Sequence, residues 1–378
     1  MSVANLALQR DKYKHLSDDE WRWFLQQEGG RERTADKLPT FAAIADWWYP
    51  VRLSCEQCSS ELTARYKAEI LTPYTIHPTP SSFVDLTGGY GVDTYFLSAA
   101  FAHTDYVEQN AELCRIAKHN FSNKPIAIHN TSAEEFLSSL SGEVRKGYDL
   151  IFLDPARRDS HGGKVFRLED CTPNVEKMLP TLLAHLSSDG HILLKLSPML
   201  DLTQAVKELS AINWDIHIVA IKNEVKELLL LSGGTEKITA IDLAKKEQVF
   251  VFTREEEMQT NSLPLREGLE VGSFLYEPNA AILKGGAYKL VAERFGLQKL
   301  DTNTHLYCSD TLVADFPGRI WRIKPASDLP RQANILVRNY PLAPEQLKKK
   351  YRLKDGGDVY LIGCRVNGKP SLFLAERL

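Results

Sequence analysis

The sequence predicts an α/β protein with a mostly parallel sheet that ends in an antiparallel edge hairpin, preceded by a helical region and followed by small α+β modules. Three observations carry this. Between 83 and 195, short apolar β-type runs alternate with helical stretches at the spacing of strand, helix and strand crossovers. Before them, from Ser17 to about Leu71, the apolar periodicity is helical throughout. After them, Ile335 to Leu378 again holds strand-like pieces.

Taken in order, Ser17 and Glu20 have the spacing of a capping box, with Trp21, Phe24 and Leu25 at helical intervals behind it. Two further helical runs are expected at Phe41 to Trp48 and Ser60 to Ile70, and the proline-rich segment Thr72 to Pro80 then closes an N-terminal helical region, 1–72. Strands are expected at Phe83 to Leu86, Asp105 to Glu108, Ile126 to His129, Leu150 to Asp154 and His191 to Lys195. Helices are expected between them at Thr94 to Ala102, Ala111 to Phe121, Glu134 to Leu140 and Val175 to Leu186. Ile216 to Ile221 and Glu227 to Leu231 lie too close for a crossover helix, so they read as the hairpin. Arg254 to Leu269 reads as a loop or linker, and Ala280 to Phe295 as a helix despite Gly285 and Gly286. Val359 to Val366 and Pro370 to Ala375 read as strands joined by the turn Asn367-Gly368.

A chain of 378 residues has room for two or three domains, and 43% apolar with 25% charged residues is ordinary for a globular protein. No apolar run approaches the ~18 residues that cross a bilayer, and the first residues lack the pattern of a secretory signal, so a cytoplasmic location is expected. Six scattered cysteines make no disulfide framework, and the lone pair Cys55 and Cys58 lacks the second pair that zinc requires. No metal is expected. A net charge of -3 excludes capture of nucleic acid by global charge, so any such affinity must come from a local patch.

The sharpest chemical signal is Phe83-Val84-Asp85-Leu86-Thr87-Gly88-Gly89-Tyr90-Gly91-Val92-Asp93, a strand entering a glycine-rich turn and then a helix. Such glycines let backbone approach a ligand where a Cβ would clash. The next strand ends in Glu108, where a carboxylate can accept both hydroxyls of a ribose, a spacing that NAD-binding folds share. Asp154-Pro155-Ala156-Arg157-Arg158 stands at the carboxyl end of another strand and should face the same crevice, and dehydrogenases have no use for it.

These residues resemble the class I, Rossmann-like methyltransferases that depend on S-adenosylmethionine. Asp85 to Gly91 looks like their first motif, Glu108 like the ribose-binding acid, and Asp154-Pro155 like the motif between cofactor and acceptor. The resemblance implies S-adenosylmethionine as cofactor, held by Asp85, Thr87, Gly88, Gly89, Gly91, Glu108, Ser132 and Asp154, with Asp154, Pro155 and Arg157 on the catalytic side. Thr87 replaces the usual first glycine, and Ser132 stands where an acid often holds the adenine, with Glu134 nearby as a substitute. The chain also resembles a bacterial family with a small ferredoxin-like module and a THUMP-like domain. This implies divisions at 73–262 for the methyltransferase, 263–308 for the ferredoxin-like module and 309–378 for the THUMP-like domain.

THUMP domains help to deliver RNA, so the resemblance implies structured RNA, transfer or ribosomal, as partner. Lys348, Lys349, Lys350, Arg352 and Lys354 offer a local basic patch. The Asp154-Pro155 opening resembles enzymes that methylate exocyclic amines, and Arg157 can stack on a base or bind phosphate. Methylation at pyrimidine C5 needs a cysteine after the next strand, where this chain has Lys195-Leu196-Ser197-Pro198. Two other readings stay open: a non-catalytic RNA-binding or assembly protein that keeps the fold, and a methyltransferase acting on protein or a small molecule. Trp47-Trp48-Tyr49 reads as packing, and a role for His161 as a base in a substrate loop is disfavoured.

Overall fold

The structure is a computed structural model that describes residues 3–74, 81–140, 147–157, 168–245, 248–261, 272–327 and 329–378. Its contacts divide into two units, Met1–Asn213 with Leu229–Gly233, and Trp214–Leu228 with Gly234–Leu378.

The first unit opens with helices. Ser17 caps Asp18–Thr34 in a complete capping box with Glu20, as its spacing predicts. The stretch from Phe41 to Trp48 is helical only over Pro39–Ala43, after which the chain turns extended at Ile44. The reason is burial: Phe41, Trp47 and Tyr49 are inserted into one apolar core with Tyr90, Val92, Phe96, Tyr106 and Phe121, which a continuous helix could not reach together. Trp48 stacks on His119 at 3.8 Å, and Arg115 lies over both Trp23 and Trp48. The aromatic run is therefore packing, and it fastens the N-terminal helices to the glycine-rich turn. Polar links are buried there too, among them Trp47 Nε1, which donates to the Tyr90 hydroxyl at 2.9 Å. Tyr90→Phe should cost about 1 to 2 kcal/mol in thermal unfolding, because the indole N–H is left without an acceptor; an unchanged melting temperature would contradict this.

The strands of this unit are β1 (Ser82–Asp85), β2 (His103–Val107), β3 (Ile126–His129), β4 (Tyr148–Leu153), β5 (Ala156–Arg157), β6 (Cys171–Thr172) and β7 (Leu186–Leu196). All pairings within the order β7-β4-β1-β2-β3 are parallel. Helices Val92–Leu97, Ala111–Asn120, Ala133–Ser139 and Val175–Ala184 make the connections. The strand centres, among them Phe83, Val84, Ile151 and Leu193, are wholly buried, which is why they read as unbroken apolar runs. After Asp154-Pro155, β5 pairs antiparallel with β6.

β8 (Trp214–Ile221), in the second unit, and β9 (Glu224–Ser232), which begins there, form the expected hairpin. Its two-residue turn, Lys222-Asn223, has φ values of 53° and 64°, and the Asp242 carboxylate accepts both of its N–H groups. The hairpin does not end the sheet, for β10 (Ile238–Asp242) adds parallel to β8 and β11 (Val249–Phe252) antiparallel to β10. The expected loop at Arg254 begins instead with a helix, Arg254–Gln259, whose capping box is Thr253 with Glu256. Residues 262–269 of that stretch lie outside the described residues.

A second sheet contains β12 (Phe274–Pro278), β13 (Gln298–Asp301), β14 (Thr304–Ser309), β15 (Gly318–Pro325), β16 (Asn334–Arg338), β17 (Val359–Val366) and β18 (Lys369–Arg377), in the order β13-β14-β12-β15-β18-β17-β16. Its core surrounds the fully buried Trp321. The hairpin of β17 and β18 turns at Asn367-Gly368, with φ of 47° and 79°, as the dipeptide predicts. The helix expected over Ala280 to Phe295 divides into Ala280–Gly285 and Leu290–Arg294, because Gly286 takes φ of 82°. No described helix is long and apolar enough to cross a membrane.

Candidate active site

β1 carries its buried apolar residues up to Asp85, and the chain then turns through Leu86 to Gly91. Gly88 lies against the Tyr106 ring so closely that a Cβ would come within 2.2 Å of it. Gly89 and Gly91 take φ of 54° and 80°, the left-handed region that favours glycine. Two contacts from the end of β2 lock the turn: the Tyr106 hydroxyl donates to the Gly89 carbonyl at 2.6 Å, and Gly89 N–H donates to Glu108 Oε2 at 2.9 Å. Glu108 Oε1 accepts Asn110 N–H at 2.7 Å. The carboxylate is thus held by backbone on both oxygens, each of which keeps further lone pairs.

A cavity of about 300 Å³ opens beside this turn. Asp85, Thr87, Gly88, Gly89, Gly91, Glu108, Ser132 and Asp154 all line it, so residues taken from four strand ends meet in one place. Pro155 follows Asp154 half-buried, while Arg157 lies in β5 and only its backbone is described. His161 and Arg158 lie outside the described residues. The Thr87 hydroxyl accepts Asp154 N–H at 2.7 Å, tying the glycine turn to the Asp-Pro turn. Ser132 is the N-cap of Ala133–Ser139, its oxygen accepting Glu135 N–H, and Glu134 also lines the cavity.

The sequence reading missed part of the wall. Ser54, Gln57, Cys58 and Ser59 line the cavity from the N-terminal region. Cys58 Sγ donates to the Cys55 carbonyl, both thiols are free, and burial pushes Cys55 up to about 12. Two lysines were also missed. Lys195 Nζ sits 2.5 Å from Asp154 Oδ2, and the wholly buried Lys67 is 3.2 Å from Asp93. A signal for Lys195 existed: it interrupts a strand whose neighbours Leu193, Leu194 and Leu196 are buried, and a cation there must have a partner. Nothing local in the helix Glu61–Leu71 marks Lys67.

Burial pushes the Asp85 carboxyl up to about 7, although it accepts the Thr94 hydroxyl at 2.6 Å and Thr87 N–H at 3.0 Å; Asp93 and Asp154 add to the rise. The folded protein therefore holds this proton more tightly than the unfolded chain. The resulting stability is complete below about pH 4 and is lost as pH rises through 7. Asp85→Asn, which keeps the volume and an acceptor for Thr87, should stabilise the protein at pH 8 by up to roughly 4 kcal/mol more than it does at pH 4. Urea unfolding at the two pH values checks this, and an equal effect at both would contradict it.

Residues 274–317 match a family described as a ferredoxin-like domain, and 320–377 one described as THUMP domain-like. A protein of Mycobacterium tuberculosis, in strains CDC 1551 / Oshkosh and H37Rv, named an uncharacterized S-adenosylmethionine-dependent methyltransferase, is 21% identical over 363 residues, 91% of this chain and 92% of its own length. The crystal structure of a protein from Porphyromonas gingivalis W83, described as a "putative methyltransferase", is 33% identical, with a TM-score of 0.82 over 96% of this chain and 92% of that one. With that identity over nearly its whole length, this chain belongs to the S-adenosylmethionine-dependent methyltransferases, and it carries ferredoxin-like and THUMP-like domains in its C-terminal part.

Proposed function

We propose that the chain holds S-adenosylmethionine in this cavity and methylates an exocyclic base amine of structured RNA, transfer or ribosomal. The observation that carries the reading is the meeting of the glycine turn, Glu108 and the Asp154-Pro155 turn in one cavity at the carboxyl ends of β1, β2 and β4.

The residues suit the cofactor. A Cβ on Gly89 would point into open space, its nearest neighbour being the Thr87 carbonyl at 3.7 Å, so the glycine leaves room for a ligand against the backbone. Glu108 would take the ribose hydroxyls on its remaining lone pairs, and Gly88, Gly91 and Thr87 keep the turn in shape for it. Ser132, whose hydroxyl is engaged with Glu135, would stand against the adenine with Glu134 beside it.

When bound, S-adenosylmethionine supplies a methyl group already activated by the positive sulfur, so the protein's task is chiefly to orient the acceptor. Asp154, one oxygen paired with Lys195, would accept an N–H of the amine on the other and aim the nitrogen lone pair. Pro155 stiffens the turn, and Arg157 would contact the base or a phosphate. Pyrimidine C5 chemistry is disfavoured: Ser197 stands where the thiol is needed, and burial raises the thiol of Cys58, the cysteine that lines the wall among the described residues.

RNA as acceptor is supported by the THUMP-like domain and by the exposed Lys349, Lys350, Arg352 and Lys354 at the end of helix Pro344–Tyr351; Lys348 is engaged with Glu345 and Asp355. The test is incubation with methyl-labelled cofactor and total RNA from a strain lacking the gene. Label in one discrete RNA, recovered as an amine-methylated nucleoside, is expected. Label in protein or small molecules would move the acceptor out of RNA, and no label in any fraction would favour the non-catalytic alternative.

A further inference from the structure

Two residues that line the cavity, Asp93 and Asp154, belong to a row of alternating charges completed by two lysines. Asp93, in the first turn of Val92–Leu97, accepts the Ser59 hydroxyl at 2.6 Å. Lys67 Nζ lies 3.2 Å from its Oδ1 and Lys195 Nζ 3.8 Å from its Oδ2. Lys195 in turn pairs with Asp154 at 2.5 Å, so Lys67, Asp93, Lys195 and Asp154 alternate in sign. The side chain of Lys67 is 0% exposed and that of Lys195 12%. Burial alone would raise the Asp93 carboxyl, yet the two ammonium groups and Ser59 hold it below its ordinary value. Buried lysines are costly and add little net stability even when paired, so two beside one ligand cavity ask for another reason.

Methyl transfer supplies one. The bond from sulfur to methyl breaks with its electron pair remaining on sulfur, the acceptor nitrogen forms the new C–N bond with its lone pair, and that nitrogen then releases a proton. A sulfonium cation becomes a neutral thioether. Unbalanced carboxylates would bind the cation more tightly than a transition state in which the charge is already leaving the sulfur, and so would slow the reaction.

We propose that Lys67 and Lys195 are charge-balancing residues, which offset Asp93 and Asp154 so that the cavity does not hold the sulfonium much more tightly than the thioether. The ion pair with Lys195 also fixes the orientation of Asp154. Through Lys67, the N-terminal helix Glu61–Leu71 becomes part of the reactive site. This inference rests on the cavity being the cofactor site and is independent of the RNA acceptor.

The test is calorimetric titration of the full chain with S-adenosylmethionine and with S-adenosylhomocysteine, for the parent, Lys195→Met, Lys195→Arg, Lys67→Met and Asp154→Asn. Lys195→Met should shift the affinity ratio about tenfold toward S-adenosylmethionine and Asp154→Asn about tenfold the other way, as expected for one partly screened charge within ~8 Å. Lys67→Met should follow Lys195→Met with a smaller shift, and Lys195→Arg should leave the ratio unchanged. A merely structural defect would weaken both ligands together and leave the ratio where it was. Circular dichroism identifies any variant that fails to fold; Asp154 is partly exposed, so Asp154→Asn carries the test if Lys195→Met does not fold. Ratios within about twofold of the parent in every folded variant would overturn the proposal. The titrations need no methyl acceptor, so a failure to label RNA bears on the acceptor alone.

Discussion

Glu108→Ala is expected to weaken binding of S-adenosylmethionine and S-adenosylhomocysteine by two to three orders of magnitude while the protein stays folded. The carboxylate would accept two ribose hydroxyls, each such charge-assisted bond being worth about 1.5 to 3 kcal/mol, and a loss of about 3 to 4 kcal/mol corresponds to a few hundredfold in affinity or more. The variant also releases Gly89 N–H and Asn110 N–H, but the cavity lets water replace the lost acceptor, so the fall in melting temperature should be small. Calorimetry and thermal unfolding on the same preparation separate the two effects. Parent-like affinity in the folded variant would remove Glu108 from the cofactor site.

Gly88→Ala should act in the opposite manner, through the fold. Its Cβ would come within 2.2 Å of Tyr106, a wholly buried ring whose hydroxyl is fixed to the Gly89 carbonyl, so neither side can yield cheaply. Overpacking of this kind costs about 1 to 3 kcal/mol, and the distorted turn should also lose the cofactor. Gly89→Ala is the informative partner. Its Cβ meets open space, so the expense is only the positive φ, about 1 kcal/mol, but the methyl occupies the cavity. Thermal unfolding should therefore rank Gly88→Ala as the less stable, while both variants bind S-adenosylhomocysteine poorly. Equal stability of the two would contradict the packing assigned to Gly88.

Where the sequence was legible, the determinants were local. Glycines at 88, 89 and 91 need no distant partner to announce a tight turn, and the interval to Glu108 is set by one helix and one strand. Asn367-Gly368 marks its hairpin because the type I′ turn demands two positive φ values that these residues tolerate. What escaped depends on distant contacts or on a signal hidden by composition. Thr253 and Glu256 are a capping box within a stretch so polar that it read as linker. The run from Phe41 to Trp48 has helical periodicity, but the burial of Trp47 against Tyr90 outweighs it. Lys67 and Asp93 are 26 residues apart in the sequence, and only the packing of an N-terminal helix against the first helix of the sheet domain brings them together.

If the cavity between Gly89, Glu108 and Asp154 is the cofactor site, a crystal structure of the full chain with S-adenosylhomocysteine will show the ligand there. The ribose is expected on Glu108, the adenine near Ser132 and Glu134, and the sulfur on the side of Asp154. Ligand bound elsewhere, or an empty cavity in crystals grown at saturating ligand, would contradict it.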